Sequence, residues 1–252
     1  MRWNKPFLLL TLAAVIAFVH PAVAQFSATA PDARSGALGG SALFVPGVRQ
    51  VDIGYRQQFL MPGMADKQLH LQLPTGSLGT TVARYEHNGN ADYHEQQLML
   101  GYALWVNEWL HVGVAGRWLH LGTSDPHYRP QQWLAASALL RASLGRSALT
   151  FVAGTRPWDE QQRWRLHLQA SYRPASSLLT VFELEQEERL RLRIGMEYRL
   201  HEMFYFRVGM ASHPTLLTFG FGARWQHYSV DLAAEVHSNL GLTPHTTLTL
   251  WF

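Results

Sequence analysis

The chain has 252 residues, a formal net charge of +3 and no cysteine. This length allows one large all-β domain or two ordinary domains. The absence of cysteine excludes a disulfide framework, thiolate catalysis and cysteine-based zinc sites. The small net charge gives no support to nucleic-acid binding.

Residues 1–24 (MRWNKPFLLLTLAAVIAFVHPAVA) have the basic start, apolar run and small-residue end of a secretory signal peptide. The alternative is a membrane anchor helix, but the apolar run at 7–19 is shorter than the roughly 20 residues that a span requires. We therefore predict cleavage after Ala24. Losing Arg2 and Lys5 lowers the formal charge from +3 to +1.

Beyond the leader, every apolar stretch is interrupted by a charge or by Gln, His or Gly, so a membrane-inserted chain would have to be a barrel. Apolar and polar residues alternate with a period of two, which is typical of strands. The clearest cases are 163–172, 188–198, 204–211, 217–225 and 228–237. The segment 188–198 (ERLRLRIGMEY), taken alone, also fits a basic nucleic-acid patch or a membrane-surface helix; its alternating neighbours favour a strand.

Further strands are predicted elsewhere, which makes about fourteen in all. They are expected near 49–59, 67–73, 77–87, 94–106, 109–121, 132–143, 147–155, 178–185 and 244–252. Tight connections alternate with longer ones such as 122–131 and 156–162, as in outer-membrane barrels with short periplasmic turns. The predicted fold is all-β: a closed antiparallel transmembrane barrel over 49–252, preceded by a short periplasmic, hatch-like segment at 25–48.

A soluble β-sandwich or lipocalin-like barrel also alternates, but its apolar face points inward. Here the charged faces also carry the small residues, which suits a lumen. The bulky faces end in aromatics, which suits lipid-facing girdles; these are Trp118, Tyr172, Tyr198, Trp225 and Tyr228. We predict a protein of the outer membrane of a Gram-negative bacterium, in contact with outer-membrane lipid.

The last strand, TPHTTLTLWF, places Leu248, Leu250 and Phe252 on one face. It is similar to the C-terminal strand by which outer-membrane barrels are recognised for insertion. These three residues form the expected insertion signal, and the barrel assembly machinery is the expected partner.

Segments 35–45 (SGALGGSALFV) and 204–252 suggest a family. Within 204–252, Arg-x-Gly, His-Pro-Thr, Phe-Gly-Phe-Gly and Leu-Gly-Leu-Thr-Pro precede the aromatic end. This order resembles the FadL-like, or long-chain fatty-acid transporter, superfamily, and in particular its PorV/PorQ-like branch. The resemblance implies fourteen strands, an N-terminal hatch in the lumen, and a role in hydrophobic-substrate uptake or in anchoring type IX secretion machinery.

The chain departs from that pattern at the hatch. The Asn-Pro-Ala-like motif usual in the transporters is missing, since Phe44-Val45-Pro46-Gly47 leads almost directly into the first strand. The hatch is therefore short, and this argues against gated fatty-acid transport of the usual kind.

The predicted site is a ladder of lumen charges on consecutive strands, where opposed unlike charges would stabilise each other. Its core is Arg163 and Arg165, then Glu183 and Glu185, then Arg189, Arg191 and Arg193; Glu197, Arg207, Arg224, Asp231 and Glu235 would extend it. The ladder would either form a constriction that selects ions or docks a partner's tail, or brace a plugged barrel, and the interleaved carboxylates favour bracing.

Catalysis has little support in the sequence. His94, His111, His167 and His237 could each supply a base, but no HExxH spacing, Walker loop or dinucleotide fingerprint occurs. We expect no enzyme activity, no catalytic residue, no metal and no cofactor. The predicted function is a channel or transporter, porin-like, for small or hydrophobic molecules. The alternative is a non-conducting scaffold of a type IX secretion-like or surface complex, which would have secretion or surface proteins as partners.

Overall fold

The computed structural model describes residues 33–38, 47–76, 79–127, 129–158, 161–187 and 189–252, and no side chains between 156 and 163. It contains a short helix α1 (Ala33–Ala37), a 3-10 turn (Gln58–Leu60) and fourteen strands. The strands are β1 (Gln50–Gln57), β2 (Ala65–Pro74), β3 (Gly79–Gly89), β4 (Tyr93–Trp105), β5 (Leu110–Thr123), β6 (Gln131–Leu144), β7 (Ser147–Trp158), β8 (Gln161–Ala175), β9 (Leu178–Gln186), β10 (Leu190–Arg199), β11 (Phe204–Ala211), β12 (Leu216–Trp225), β13 (Tyr228–His237) and β14 (Gly241–Trp251).

Each strand pairs antiparallel with its neighbours in the chain, and β14 returns to β1 to close the barrel. At this closure Ile53 lies opposite Leu248 and Val51 lies opposite Leu250. Closure leaves no strand edge with unpaired backbone groups, which is the condition for a sheet to enter a bilayer. The predicted closed barrel of fourteen strands is confirmed.

The two faces of the wall are divided as the sequence predicts for a membrane barrel. On β13, Val230 and Leu232 are exposed on the outer surface, whereas Ser229, Asp231 and Glu235 are buried inside. A soluble barrel would show the opposite arrangement. Among the described residues, no helix is long and apolar enough to cross a bilayer.

The two ends of the barrel differ. At one end, called here the turn end, lie the connections at 176–177 and 226–227 and the last residue of β14. Tyr172, Tyr198, Trp225 and Tyr228 are exposed on the outer wall near this end, as expected for an aromatic girdle. The opposite end, the loop end, carries the connections at 58–64, 90–92 and 212–215.

Strand boundaries shift most where a loop was predicted at 156–162. Instead, β7 and β8 continue as a hairpin, with Pro157 opposite Gln162 and Trp158 opposite Gln161.

Helix α1 lies inside the lumen and contacts β11, β12, β13 and β14. The Ala33 amide donates to Thr247 Oγ1 (2.9 Å), and Thr218 Oγ1 donates to the Ala37 carbonyl (2.8 Å). A five-residue helix is too short to be stable alone, so these contacts hold it.

Three glycines of the inner wall form the seat for α1. A Cβ atom on Gly209 would lie 2.8 Å from the Leu38 carbonyl carbon, and one on Gly220 would lie 2.5 Å from the Ala37 Cβ. A Cβ on Gly195 would collide with the Leu38 carbonyl oxygen. The small residues of the predicted lumen face thus allow the close approach of a second backbone.

Candidate functional site

Three clusters of charged side chains in the lumen contain residues of the predicted ladder. The first, the Glu183 cluster, joins β8, β9 and β10. The register places Glu183 opposite Arg193 and Glu185 opposite Arg191. Arg193 pairs with Glu183 through Nη1 and with Glu185 Oε2 through Nη2 (3.0 Å), while Arg191 lies 3.7 Å from Glu185. Both carboxylates are almost completely buried. A buried charge is costly unless it is paired, and here each carboxylate contacts an arginine.

The contribution of β8 to this cluster differs from the predicted ladder. His167, opposite Glu185, approaches Glu183 Oε1 at 3.0 Å, and Gln169 donates to Glu183 Oε2 at 3.3 Å. Arg165 lies opposite Gly154 of β7 and reaches Glu185 diagonally. Sequence analysis did not assign His167 and Gln169 to the cluster. Alternation shows which face of a strand a residue lies on, but not which residue it faces on the neighbouring strand.

Two other predicted members lie elsewhere. Arg189 precedes β10 and is exposed at the loop end, so it takes no direct place in the cluster. Strand β10 begins at Leu190, two residues later than the predicted 188. The side chain of Arg163 lies outside the described residues.

The second cluster, the Glu197 cluster, connects α1 to the wall. Arg34 of α1 binds Glu197 with two hydrogen bonds, Nε to Oε2 and Nη2 to Oε1, each 2.7 Å long. Arg207 of β11 donates from Nε to Glu197 Oε2 (2.7 Å) and from Nη1 to Asp231. Ser229 donates to the other oxygen of Asp231 (3.1 Å). Arg34 was not among the predicted charges, because nothing in the segment 25–48 indicates its register against the barrel.

The third cluster, the Arg56 cluster, lies towards the loop end. Arg56 Nη2 contacts Glu235 Oε2 at 2.8 Å, and Nη1 lies 3.8 Å from Asp66 Oδ2. Gln58 donates to both oxygens of Asp66 (3.1 and 3.0 Å). Glu235 therefore belongs to a cluster separate from that of Glu197 and does not extend a single ladder as predicted.

Arg224, also predicted to extend the ladder, is placed between aromatic rings. Its guanidinium carbon lies 4.3 Å from the Trp251 ring centroid and 5.6 Å from that of Tyr205. No carboxylate lies within 4.0 Å of it among the described residues. Arg224 is held by cation–π contacts.

The inner wall of β5 and β6 has a different character. Leu119 and Trp133 are opposite each other and buried, with Ala135 and Leu121 beside them. Along the strands these inward residues are followed by outward residues that are also apolar, such as Leu134, which is 72% exposed. The lumen therefore has an apolar sector. Sequence analysis missed it because both faces of these strands are apolar, so apolar and polar residues do not alternate there.

A cavity of about 540 Å³ remains between α1 and the turn end. It is lined by both apolar and polar side chains from β8 to β14, β1 and α1. They include Arg34, Asp52, Arg173, Leu179, Glu197, Arg199, Tyr205, Arg207, Arg224, Asp231 and Trp251.

The histidines considered as bases lie apart from one another. His94 is beside His87 and His120 (ring centroids 5.7 and 5.9 Å apart), and His111 packs on Trp105. No group of three or more candidate ligands in the described residues is arranged to hold a metal ion.

The residues predicted as an insertion signal line the outer surface of β14 and the chain end. Leu248 and Phe252 are exposed there, and Leu250 pairs with Val51 of β1 and Tyr228 of β13. Their recognition by assembly machinery stays a prediction.

Comparisons with known proteins show the fold. No family model matches the chain, and no curated protein matches it in sequence. Among solved structures, the monoaromatic hydrocarbon channel CymD is similar with a TM-score of 0.65 at 12% identity, covering 90% of this chain and 99% of its own. The toluene transporter TodX of P. putida gives 0.60 at 10% identity with the same coverage of both chains. The outer membrane protein Omp33 of Acinetobacter baumannii gives 0.56 at 7% identity over 82% of this chain and 99% of its own.

The chain is thus a closed antiparallel barrel of the outer-membrane type, with a polar lumen and an apolar exterior. CymD and TodX are described as a channel and a transporter rather than as enzymes. None of these comparisons supports the PorV/PorQ-like branch or a type IX secretion role.

Proposed function

We propose that this protein is an outer-membrane channel for small molecules, and that helix α1 acts as its plug. The observation that carries the proposal is the position of α1, seated on glycines inside a polar lumen with a cavity of about 540 Å³ beside it. A barrel that served only as an anchor would not need an open volume next to a separately attached plug.

The lumen suits molecules with both polar and apolar parts. Charged clusters face the interior from β8 to β11, from β13 and from β1 and β2, while the buried pair Leu119 and Trp133 supplies an apolar wall on β5 and β6. Small-molecule sites typically combine apolar walls with a few polar groups that fix orientation. The similar folds of the hydrocarbon channel CymD and the toluene transporter TodX are consistent with such a cargo.

The short connections at the turn end would face the periplasm, as in barrels of this class. The signal peptide, the 25–48 hatch and an outer-membrane location belong to the same proposal. Under it, α1 lies in the lumen of a mature chain that begins after Ala24.

Reconstitution tests this function. In planar bilayers and in liposomes we expect small, flickering ion currents and slow solute entry with the unaltered protein. Both should increase when the plug is loosened by Gly209→Val. Protein-free and heat-denatured samples are the blanks. Absence of current and of solute entry for both proteins would overturn the channel and favour the non-conducting scaffold.

A further inference from the structure

The cavity at the turn end has an unbalanced set of charges. Five arginines line it (Arg34, Arg173, Arg199, Arg207 and Arg224) against three carboxylates (Asp52, Glu197 and Asp231). Arg34 and Arg207 are occupied by Glu197 and Asp231 through the contacts described above. Asp52 contacts His70 at 2.6 Å and accepts from Gln50 at 3.0 Å.

Arg173, Arg199 and Arg224 are therefore left over. In the part of the chain that the structure describes, none of the three has a carboxylate within 4.0 Å. By contrast, seven other arginines each have a carboxylate within that distance: Arg34, Arg56, Arg84, Arg165, Arg191, Arg193 and Arg207. Arg173, Arg199 and Arg224 all line the same cavity.

Two of these cations flank one aromatic ring. Arg199 of β10 lies opposite Tyr205 of β11, and Arg224 lies two residues beyond Gly222, the partner of Tyr205 on β12. The contacts of Arg224 with Trp251 and Tyr205 fix its guanidinium without using its N–H groups. A guanidinium held in this way is preorganised to donate to an anion.

The remaining lining is partly aliphatic: Leu179 of β9 lies opposite Glu197 of β10 on the inner face and is buried. We infer that this cavity binds a small organic carboxylate, whose charged group contacts Arg199 and Arg224 and whose apolar body lies against Leu179. This inference rests on the proposed function, because the bound anion would be a molecule that the channel transports, held at the turn end of the lumen.

The test uses the full barrel in detergent, with benzoate as probe in isothermal titration. Benzamide is the matched ligand control, because it has the same ring and shape without the charge. We expect saturable binding of one benzoate per barrel, weaker at higher salt, and at least about tenfold weaker binding of benzamide. Equal affinity for the two ligands, or no binding of benzoate, would overturn the site.

Variants then locate the site. Arg199→Gln with Arg224→Gln should weaken benzoate binding about tenfold or more, since charge-assisted hydrogen bonds are lost. Arg146→Gln is the control. Arg146 lies in the turn between β6 and β7 at the same end of the barrel, where its guanidinium donates to the Pro174 carbonyl at 3.0 Å, and it does not line the cavity. Equal effects of the two changes would refute the assignment.

Binding and passage are measured separately, so the two proposals can fail independently. Benzoate binding without any bilayer current would leave the site standing and remove the channel. Bilayer current from a barrel that binds benzoate and benzamide equally would support the channel and overturn the site.

Discussion

Arg34 and Glu197, 163 positions apart in sequence, meet inside the barrel through two hydrogen bonds of 2.7 Å. This bidentate pair is the ionic connection between the plug helix and strand β10. Because Glu197 also accepts from Arg207, one carboxylate holds both the plug and the neighbouring strand.

The first prediction concerns this carboxylate. Glu197→Gln should loosen the plug and raise the mean bilayer current several-fold, because it leaves the buried Arg207 and the partly exposed Arg34 without their shared charge. Removing one partner of a buried pair typically costs about 3–5 kcal/mol. Glu202→Gln, an exposed change in the turn between β10 and β11, is the control. Matching currents for the two variants would show that the pair does not hold the plug.

The second prediction concerns the seat of the plug. Gly209→Val should place a side chain where the Leu38 backbone lies and so expel α1 from the lumen while the barrel stays closed. Trypsin cleavage after Arg34, followed by mass spectrometry, measures this exposure. Gly116→Val is the matched control, since a Cβ there meets nothing within 4 Å. Protection of Arg34 in the Gly209 variant would contradict the seating described here.

The third prediction addresses the Glu183 cluster. Glu183→Gln removes the charge that faces Arg193 and His167, so the free energy of unfolding should fall by about 2–4 kcal/mol. Unfolding by guanidinium in lipid vesicles gives the value. If the cluster instead forms a selective constriction, the current should lose ion selectivity while stability stays unchanged. That result would show that the Glu183 cluster selects ions and does not brace the barrel.

The fourth prediction tests the lipid-facing wall. Leu232→Arg, halfway along β13 on the exposed outer face, should cost about 2–4 kcal/mol, the usual penalty near the bilayer midplane. Leu200→Arg, in the exposed turn after β10, should cost about 0–1 kcal/mol. Heat-modifiable gel mobility confirms that both remain barrels. Equal costs would argue that the exterior is not immersed in lipid.

The fold was largely predictable from sequence because a strand period of two assigns each residue to a face. Val230 and Asp231 fall on opposite sides of the wall by counting alone. The carboxylate partners were less predictable. Arg165 reaches Glu185 diagonally, and Arg56 reaches Glu235 across β14, so both contacts depend on strand register.

The family resemblance implied a hatch in the lumen, but the helical form of the plug and the apolar sector could not be predicted, for different physical reasons. Helix α1 is five residues long with the sequence ARSGA, too short to show helical periodicity. It is stable because the three glycines of the inner wall leave room for it and Thr218 donates a hydrogen bond to its Ala37 carbonyl. Leu119 and Trp133 are buried in the lumen although apolar residues on a membrane barrel are expected to face lipid.

The covalent connection of the plug to the wall sets how closure responds to small changes. Only residues 39–46 separate Leu38 from Gly47, so a released helix can move at most about 30 Å from its anchor. Such a tether keeps the helix at an effective concentration of roughly millimolar or above near its own binding site. Closure is then a unimolecular equilibrium, independent of protein abundance. A change of about 1.4 kcal/mol in plug contacts would alter the ratio of open to closed barrels tenfold.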